Sequence, residues 1–258
     1  MKQLLIIPDV NDILNSIELA KKYNVGFEYN DFFVPDILDD EDKLQSIIAE
    51  YKSYELPEYT TLHGAFFDVI PFSVDKKIRE ISNLRIEKSI EIAKNIGAKA
   101  VVFHINHNSF LNSKSYIEDF VETNTKYWSN VLQKNRDINI YLENMFETTP
   151  MVIEAISKNL CKYDNYGVCL DYAHAFLSKC SLKEWAKSLS PYIRHVHIND
   201  NDGISDLHLP LDDGIIPGQE FYECYDKYMN NATVLIETTD NKGKVKSLEI
   251  LKRDGFID

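Results

Sequence analysis

The stretch Ile86-Glu87-Lys88-Ser89-Ile90-Glu91-Ile92-Ala93-Lys94-Asn95-Ile96-Gly97-Ala98-Lys99-Ala100-Val101-Val102-Phe103-His104-Ile105 decides the fold class. Ile86, Ile90, Ala93 and Ile96 recur at three- and four-residue intervals, which gathers them on one buried face of a helix. Gly97 follows as the C-cap, because a residue without a Cβ enters the left-handed conformation there at no steric cost. Residues 100–105 then form a β-branched run of strand length with a histidine near its end. Helix, stop and strand in succession make up the repeating unit of an α/β protein.

Outward from this stretch, the same alternation predicts strands at 3–7, 25–29, 60–63, 100–105, 139–143, 167–171, 195–198 and 234–237. Helices are expected at 13–23, 42–53, 78–96, 116–135, 151–158, 182–189, 219–229 and 247–253. Pro150 opens the helix at 151 where its missing N–H costs least. With no low-complexity linker and no long repeat, these βα units imply one domain over 1–258, a single (β/α)8 TIM barrel of the α/β class. Its 258 residues agree with the about 250 that such a barrel takes. An open doubly wound sheet would show a Gly-rich phosphate turn, and no GxGxxG or Walker-type sequence occurs. Segments 30–41 and 199–218 are longer than usual loops. In a barrel both lie on the C-terminal face, where active sites are built.

Twenty-eight Lys and Arg against 41 Asp and Glu leave a net charge of −13, which repels nucleic acid and anionic membrane surfaces. Cys161, Cys169, Cys180 and Cys224 show no CxxC spacing and read as reduced thiols. The apolar run 4–7 is too short for a signal-peptide core, and no run approaches a membrane span. A soluble cytoplasmic protein is the expectation, with homo-oligomerisation left open.

Six residues with ligand chemistry fall at predicted strand ends: His63, His104, Glu143, Asp171, His197 and Glu237. A lone histidine of this kind is more often a hydrogen-bonded structural residue, and Glu143 or Glu237 alone could simply face water. Barrel strand ends converge on one mouth, however, and crowded carboxylates repel unless cations or protons intervene. Imidazoles and carboxylates suit Zn²⁺, Mn²⁺ and Fe²⁺, so the cluster reads as a divalent metal site of one to three ions, Mn or Zn. His174, three residues beyond Asp171, and the loop pair Asp206 and His208 extend it; loop residues of these types also commonly cap turns. Phe66 and Phe67 either wall the site or belong to the core, as do Tyr172 and Trp185. Asp39 to Asp42 reads as a solvated helix start. His107 and His195 read as dispensable, with His195 expected on the opposite side of its strand from His197.

Taken together, Leu62-His63-Gly64-Ala65-Phe66-Phe67-Asp68, Val102-Phe103-His104, Leu142-Glu143-Asn144, Leu170-Asp171-Tyr172-Ala173-His174, His195-Val196-His197-Ile198-Asn199-Asp200-Asn201-Asp202-Gly203, Asp206-Leu207-His208-Leu209-Pro210-Leu211 and Leu235-Ile236-Glu237-Thr238 resemble the xylose isomerase-like TIM-barrel superfamily (AP endonuclease family 2). The match runs in order over essentially the whole chain. That superfamily joins sugar and sugar-phosphate isomerases and epimerases to endonuclease IV. The first branch implies a metal held by Glu143, Asp171, His197 and Glu237. In it Glu143 and Glu237 exchange a carbon-bound proton through an enediolate, and His174, His63 and Phe66 contact a small sugar. The second branch implies a three-zinc cluster: His63, His104 and Glu143; Glu143, Asp171, His197 and Glu237; His174, Asp206 and His208. A barrel that binds metal or sugar without turnover is a further alternative. Segments 30–41 and 199–218 contain no Lys or Arg, which disfavours a DNA substrate and leads to the isomerase or epimerase as first expectation. The same lack removes the arginine that ketose epimerases usually supply after strand seven. The acidic loops also disfavour a phosphorylated substrate unless a helix N-terminus or Lys114, Lys179 or Lys242 receives the phosphate.

Overall fold

Each apolar run forms a strand whose alternate side chains point to opposite faces. The computed structural model describes residues 2–178 and 180–257. Strands β1 (Leu4–Ile6), β2 (Gly26–Tyr29), β3 (Thr60–His63), β4 (Ala100–His104), β5 (Asn139–Glu143), β6 (Tyr166–Asp171), β7 (Ile193–Ile198) and β8 (Thr233–Ile236) pair in parallel in chain order, and β8 closes on β1. The expected closed barrel is therefore the observed one.

The helices are α1 (Ile13–Tyr23), α2 (Pro35–Leu38), α3 (Glu41–Lys52), α4 (Lys76–Ile96), α5 (Lys114–Lys134), α6 (Met151–Leu160), α7 (Tyr172–Leu177), α8 (Leu182–Leu189), α9 (Gly218–Cys224) and α10 (Asn241–Arg253). Gly97 ends α4 at φ 79°, as its sequence position requires. Asp40 caps α3 by accepting from Lys43 N, while Asp39 and Glu41 pair with Arg85 and Lys88, so the acidic run is a solvated helix start. The short α2 and α7 were not foreseen. Helix α10 begins at Asn241 rather than 247 because Asp240 caps it through Gly243 N. Among the described residues no helix is long and apolar enough to cross a membrane.

The core has two layers. Outward-facing residues such as Phe27, Leu62, Val101, Phe103, Ile140, Leu142, Val168 and Leu170 pack with the helices in one large cluster. Inward-facing residues form two small apolar groups, Ala100, Val102, Tyr141 and Cys169 on one side and Leu5, Ile7 and Leu235 on the other. The inward position two residues further along then carries a polar group: His104 after Val102, Glu143 after Tyr141, Asp171 after Cys169, Glu237 after Leu235.

Strand β7 contains an irregularity that sets its phase. Val168 pairs with Ile193 but Cys169 pairs with His195, so Arg194 is an extra residue, a β-bulge. Ile193 faces the helices, Arg194 is exposed, and His195 and His197 both turn into the barrel. The expectation that His195 points away from His197 is thus wrong: residues two apart share a face. Their rings lie 5.0 Å apart.

Candidate metal centre

All nine sequence-selected donors converge on the mouth of the barrel. The pleat delivers His63, His104, Glu143, Asp171 and His197 from the ends of β3 to β7, with Glu237 immediately after β8. Gly64 lets the chain leave β3 tightly, since a Cβ there would collide with the Phe103 ring. His174 stands on α7, whose start is fixed by Asp171 accepting from His174 N at 2.6 Å.

Asp206 and His208 come from the segment after β7, which folds back on itself. Asp200 and Leu209 exchange two backbone hydrogen bonds of 2.9 Å, closing a strap across the mouth. Asp200 Oδ1 accepts from Asn201 N and Ile216 N, and a Cβ on Gly214 would strike both Asp200 Oδ1 and Asn201 O. His208 itself sits at φ 50°, a left-handed conformation that costs a non-glycine residue energy and turns its ring toward the centre.

Four donor triads have ligand atoms mutually within 4.8 Å: His63, His104 and Glu143; Glu143, Asp171 and His197; His174, Asp206 and His208; and, deeper in the barrel, Cys169 and His195, both outside the nine, with His197. Glu143 joins the first two. Its Oε2 is 3.5 Å from His63 Nε2 and 3.3 Å from His104 Nε2, while its Oε1 is 3.4 Å from His197 Nδ1 and 3.7 Å from His174 Nδ1. Glu237 Oε2 lies 3.4 Å from His197 Nδ1 and 3.7 Å from His208 Nδ1. His174 Nε2 and His208 Nε2 both approach Asp206 Oδ2, at 3.1 and 3.0 Å.

Four of the imidazoles share a pattern. Nδ1 is engaged by a neighbour, namely Gly64 O for His63, Met145 Sδ for His104, Asn144 O for His174 and Glu237 O for His208, and Nε2 faces a carboxylate. A second partner of this kind fixes ring orientation and tautomer, as around metal-binding histidines. Asn144 also ties β5 to β6, donating to Asp171 O at 3.0 Å and accepting from Asp171 N at 2.9 Å. In the sequence it stands within the segment Leu142-Glu143-Asn144 that carries the family resemblance, but nothing there gave it a role.

The electrostatics suit cations. Burial works to raise Glu143, but the imidazoles of His197 and His104 override it and hold its carboxyl well below the usual range. Asp171 moves up, chiefly through burial, with Glu237 and Glu143 adding to the rise against His174. Burial opposes charge on His197 and His174, yet Cys169 and Glu143 around the one and Asp171 and Asp206 around the other raise both well above the ordinary value. Protons on these rings therefore stand where metal ions would compete with them. Glu143 Oε2 and Asp171 Oδ2 are buried without a hydrogen-bond partner, the condition expected of ligand oxygens awaiting a cation. The residues fit a divalent metal.

The cleft above the donors measures about 630 Å³, and its described lining contains no Lys or Arg. Phe66 forms a wall, its ring centroid 5.1 Å from His63, 4.7 Å from His104 and 5.0 Å from Phe33. Asp9, Asn30 and Asp31 line the side opposite Met145 in the sequence order of the barrel. Lys114 pairs with Glu118 and, like Lys242, is not part of this lining; Lys179 lies outside the described residues. Tyr172 and Trp185 are core residues, packed on Phe221 and bonded to Ser178 respectively. His107 is buried against Tyr116 and Phe120, away from the donors.

The sequence reasoning missed Glu28. It is fully buried on β2 with Oε1 3.1 Å from His197 Nε2. The available signal was a lone acidic residue within the apolar run 25–29.

A family profile described as xylose isomerase-like TIM barrel matches residues 17–254. An uncharacterized protein of Methanocaldococcus jannaschii is 29% identical over 201 residues, covering 74% of this chain and 68% of that protein. Among solved structures, a D-tagatose 3-epimerase-like protein is 24% identical with a TM-score of 0.75, covering 98% of this chain and 96% of that one. A Thermus thermophilus protein soaked with ZnCl2 is 20% identical with a TM-score of 0.77 and 99% coverage of each chain. Endonuclease IV from the same organism is 15% identical with a TM-score of 0.65 and 97% coverage of each. At these identities the structural likeness concerns the fold.

Proposed function

The chain belongs to the xylose isomerase-like TIM-barrel family, and we propose that it is a divalent-metal-dependent hydrolase of small phosphate esters, using two or three ions at the barrel mouth. The sharing of Glu143 between two donor triads, with a third triad beside them, carries this reading. A single ion held by Glu143, Asp171, His197 and Glu237 would not use the ligand atoms of His104, Asp206 and His208, which belong to the other two groups at the mouth. When bound, such ions supply Lewis acidity and lower the pKa of a water molecule. Glu143 and Glu237 each place a carboxylate oxygen 3.4 Å from His197 Nδ1. The wall of Phe33 and Phe66 keeps bulk water from the donors on one side.

Duplex DNA is a poor substrate for this face. Segments 30–41 and 199–218 carry no Lys or Arg, so nothing there neutralises a phosphate backbone. A small ester would not need such groups if the residues of the mouth held cations, whose charge would offset that of the phosphate. Zinc is the first ion to test, given the Thermus neighbour soaked with ZnCl2.

A second reading, the sugar isomerase or epimerase, is supported by the position of Glu143 and Glu237, each 3.4 Å from one imidazole nitrogen. Two carboxylates at one centre suit proton removal and return at a sugar carbon. Elemental analysis of the purified protein separates the two. Two or three zinc ions per chain, with chelator-sensitive cleavage of a p-nitrophenyl phosphodiester, is the expected result. One ion per chain, with solvent deuterium entering a sugar carbon and no ester cleavage, would overturn it in favour of the second reading.

A further inference from the structure

We infer that Glu28 is a positioning residue that locks His197 with Nδ1 toward the metal centre and so strengthens metal binding. The inference rests on the reading of the mouth as a metal site. His197 is reversed relative to the other four imidazoles. Its Nδ1 faces Glu143 and Glu237, and its Nε2 faces Glu28 Oε1 at 3.1 Å. Glu28 is in turn held from its other oxygen, where Thr61 donates at 2.6 Å and His195 Nε2 lies at 3.1 Å. The far nitrogen of His195 meets Thr233 Oγ1 at 2.5 Å, so a polar thread crosses the barrel interior from the mouth to the first residue of β8.

A carboxylate with no exposure and, among the described residues, no Lys or Arg partner destabilises the barrel relative to an apolar side chain of similar size. The small apolar groups beside it show that such a filling is available to this interior. What Glu28 supplies that Leu could not is a carboxylate oxygen 3.1 Å from Nε2, an acceptor in place for Nε2–H although the two atoms do not complete a hydrogen bond in this geometry. That acceptor fixes the tautomer, leaves the Nδ1 lone pair toward the ions, and raises the ring's basicity as a ligand.

The test uses the metal-free full chain and a zinc competition titration against a chromophoric chelator. Glu28→Gln keeps a carbonyl oxygen at this place and should lose little, whereas Glu28→Leu removes the acceptor and should weaken zinc binding by about 10–100-fold. Nitrogen-15 spectra of the histidines should show His197 as the Nε2–H tautomer in the zinc-loaded wild type and lose that preference in Glu28→Leu. Glu28→Asp should recover part of the affinity. If Glu28→Leu does not fold, Thr61→Val loosens the same carboxylate without removing it, and a smaller loss in the same direction is expected. Unchanged affinity and tautomer in folded Glu28→Leu or, failing that, Thr61→Val, with zinc binding still abolished by His197→Ala, overturns the inference and leaves the metal centre standing. A wild-type chain that takes up no zinc overturns both.

Discussion

Glu143 meets His63, His104, His174 and His197 at 3.3–3.7 Å, and among the described residues no other carboxylate of the mouth approaches so many of them. Glu143→Gln should therefore reduce bound zinc by about one ion or more and abolish metal-dependent turnover, read by elemental analysis and ester cleavage. Glu147 offers a different experiment. Burial pushes its carboxyl from 4.5 up to about 7, although Met145 N donates to it at 2.7 Å. An acid with a raised folded-state pKa leaves stability undiminished below 4.5 and loses it as pH rises toward 7, where the penalty becomes complete. In the metal-free protein Glu147→Gln should be more stable than wild type at pH 8, by at most about 3 kcal/mol. At pH 4.5 it should be nearly equal. Thermal or urea melts at the two pH values decide it. Donors such as His104 and Asp171 were legible in sequence because a strand-end position gives them a fixed direction. Glu28 was not, because its role depends on which imidazole reaches across the barrel, and that distance is invisible in a linear chain.

The strap after β7 shows how an element carries part of the centre. Its closure depends on Gly214 passing against Asp200 and Asn201, so Gly214→Ala should displace Asp206 and His208. The expected outcome is loss of about one zinc ion per chain while the circular dichroism of the barrel persists; full zinc content would refute this account of the strap. By contrast Ser181, which forms a capping box with Glu184 at the start of α8, belongs to none of the donor triads. Ser181→Ala should cost about 1 kcal/mol in stability with metal content unchanged. The strands and long helices were readable because their apolar periods extend over several turns or alternations. The helices α2 and α7 are too short to show a period, and α7 owes its start to the Asp171 side chain. The strap was readable as a long loop, but not its direction, which one antiparallel backbone pair sets.

For the whole molecule, on the proposed metal reading, protons and metal ions would compete for the same imidazoles, which would give the two forms opposite responses to pH. In the metal-free chain burial opposes the charge on His208, but Glu237 and Asp206 raise it to about 10. That contribution to stability is full below 6.5 and is lost as pH rises through about 10. Zinc binding instead needs neutral rings, so it weakens on acidification. Melting temperatures of chelator-treated protein should fall between about pH 7 and 10, and the extra stability conferred by zinc should shrink as pH is lowered from about 10. Barrel closure and the single-mouth geometry were inferable because eight similar units leave few other arrangements. The bulge in β7 was not, since Arg194 looks like any other strand residue. Inside and outside along a strand are a matter of parity, and an extra residue changes the parity of everything after it. Removing Arg194 would give a regular ladder in which Ile193 still faces outward and His195 still faces Cys169. Removing Val196 would turn His197 out of the barrel. Two deletions separated by one position should thus have opposite fates, the first retaining the metal centre and the second destroying it.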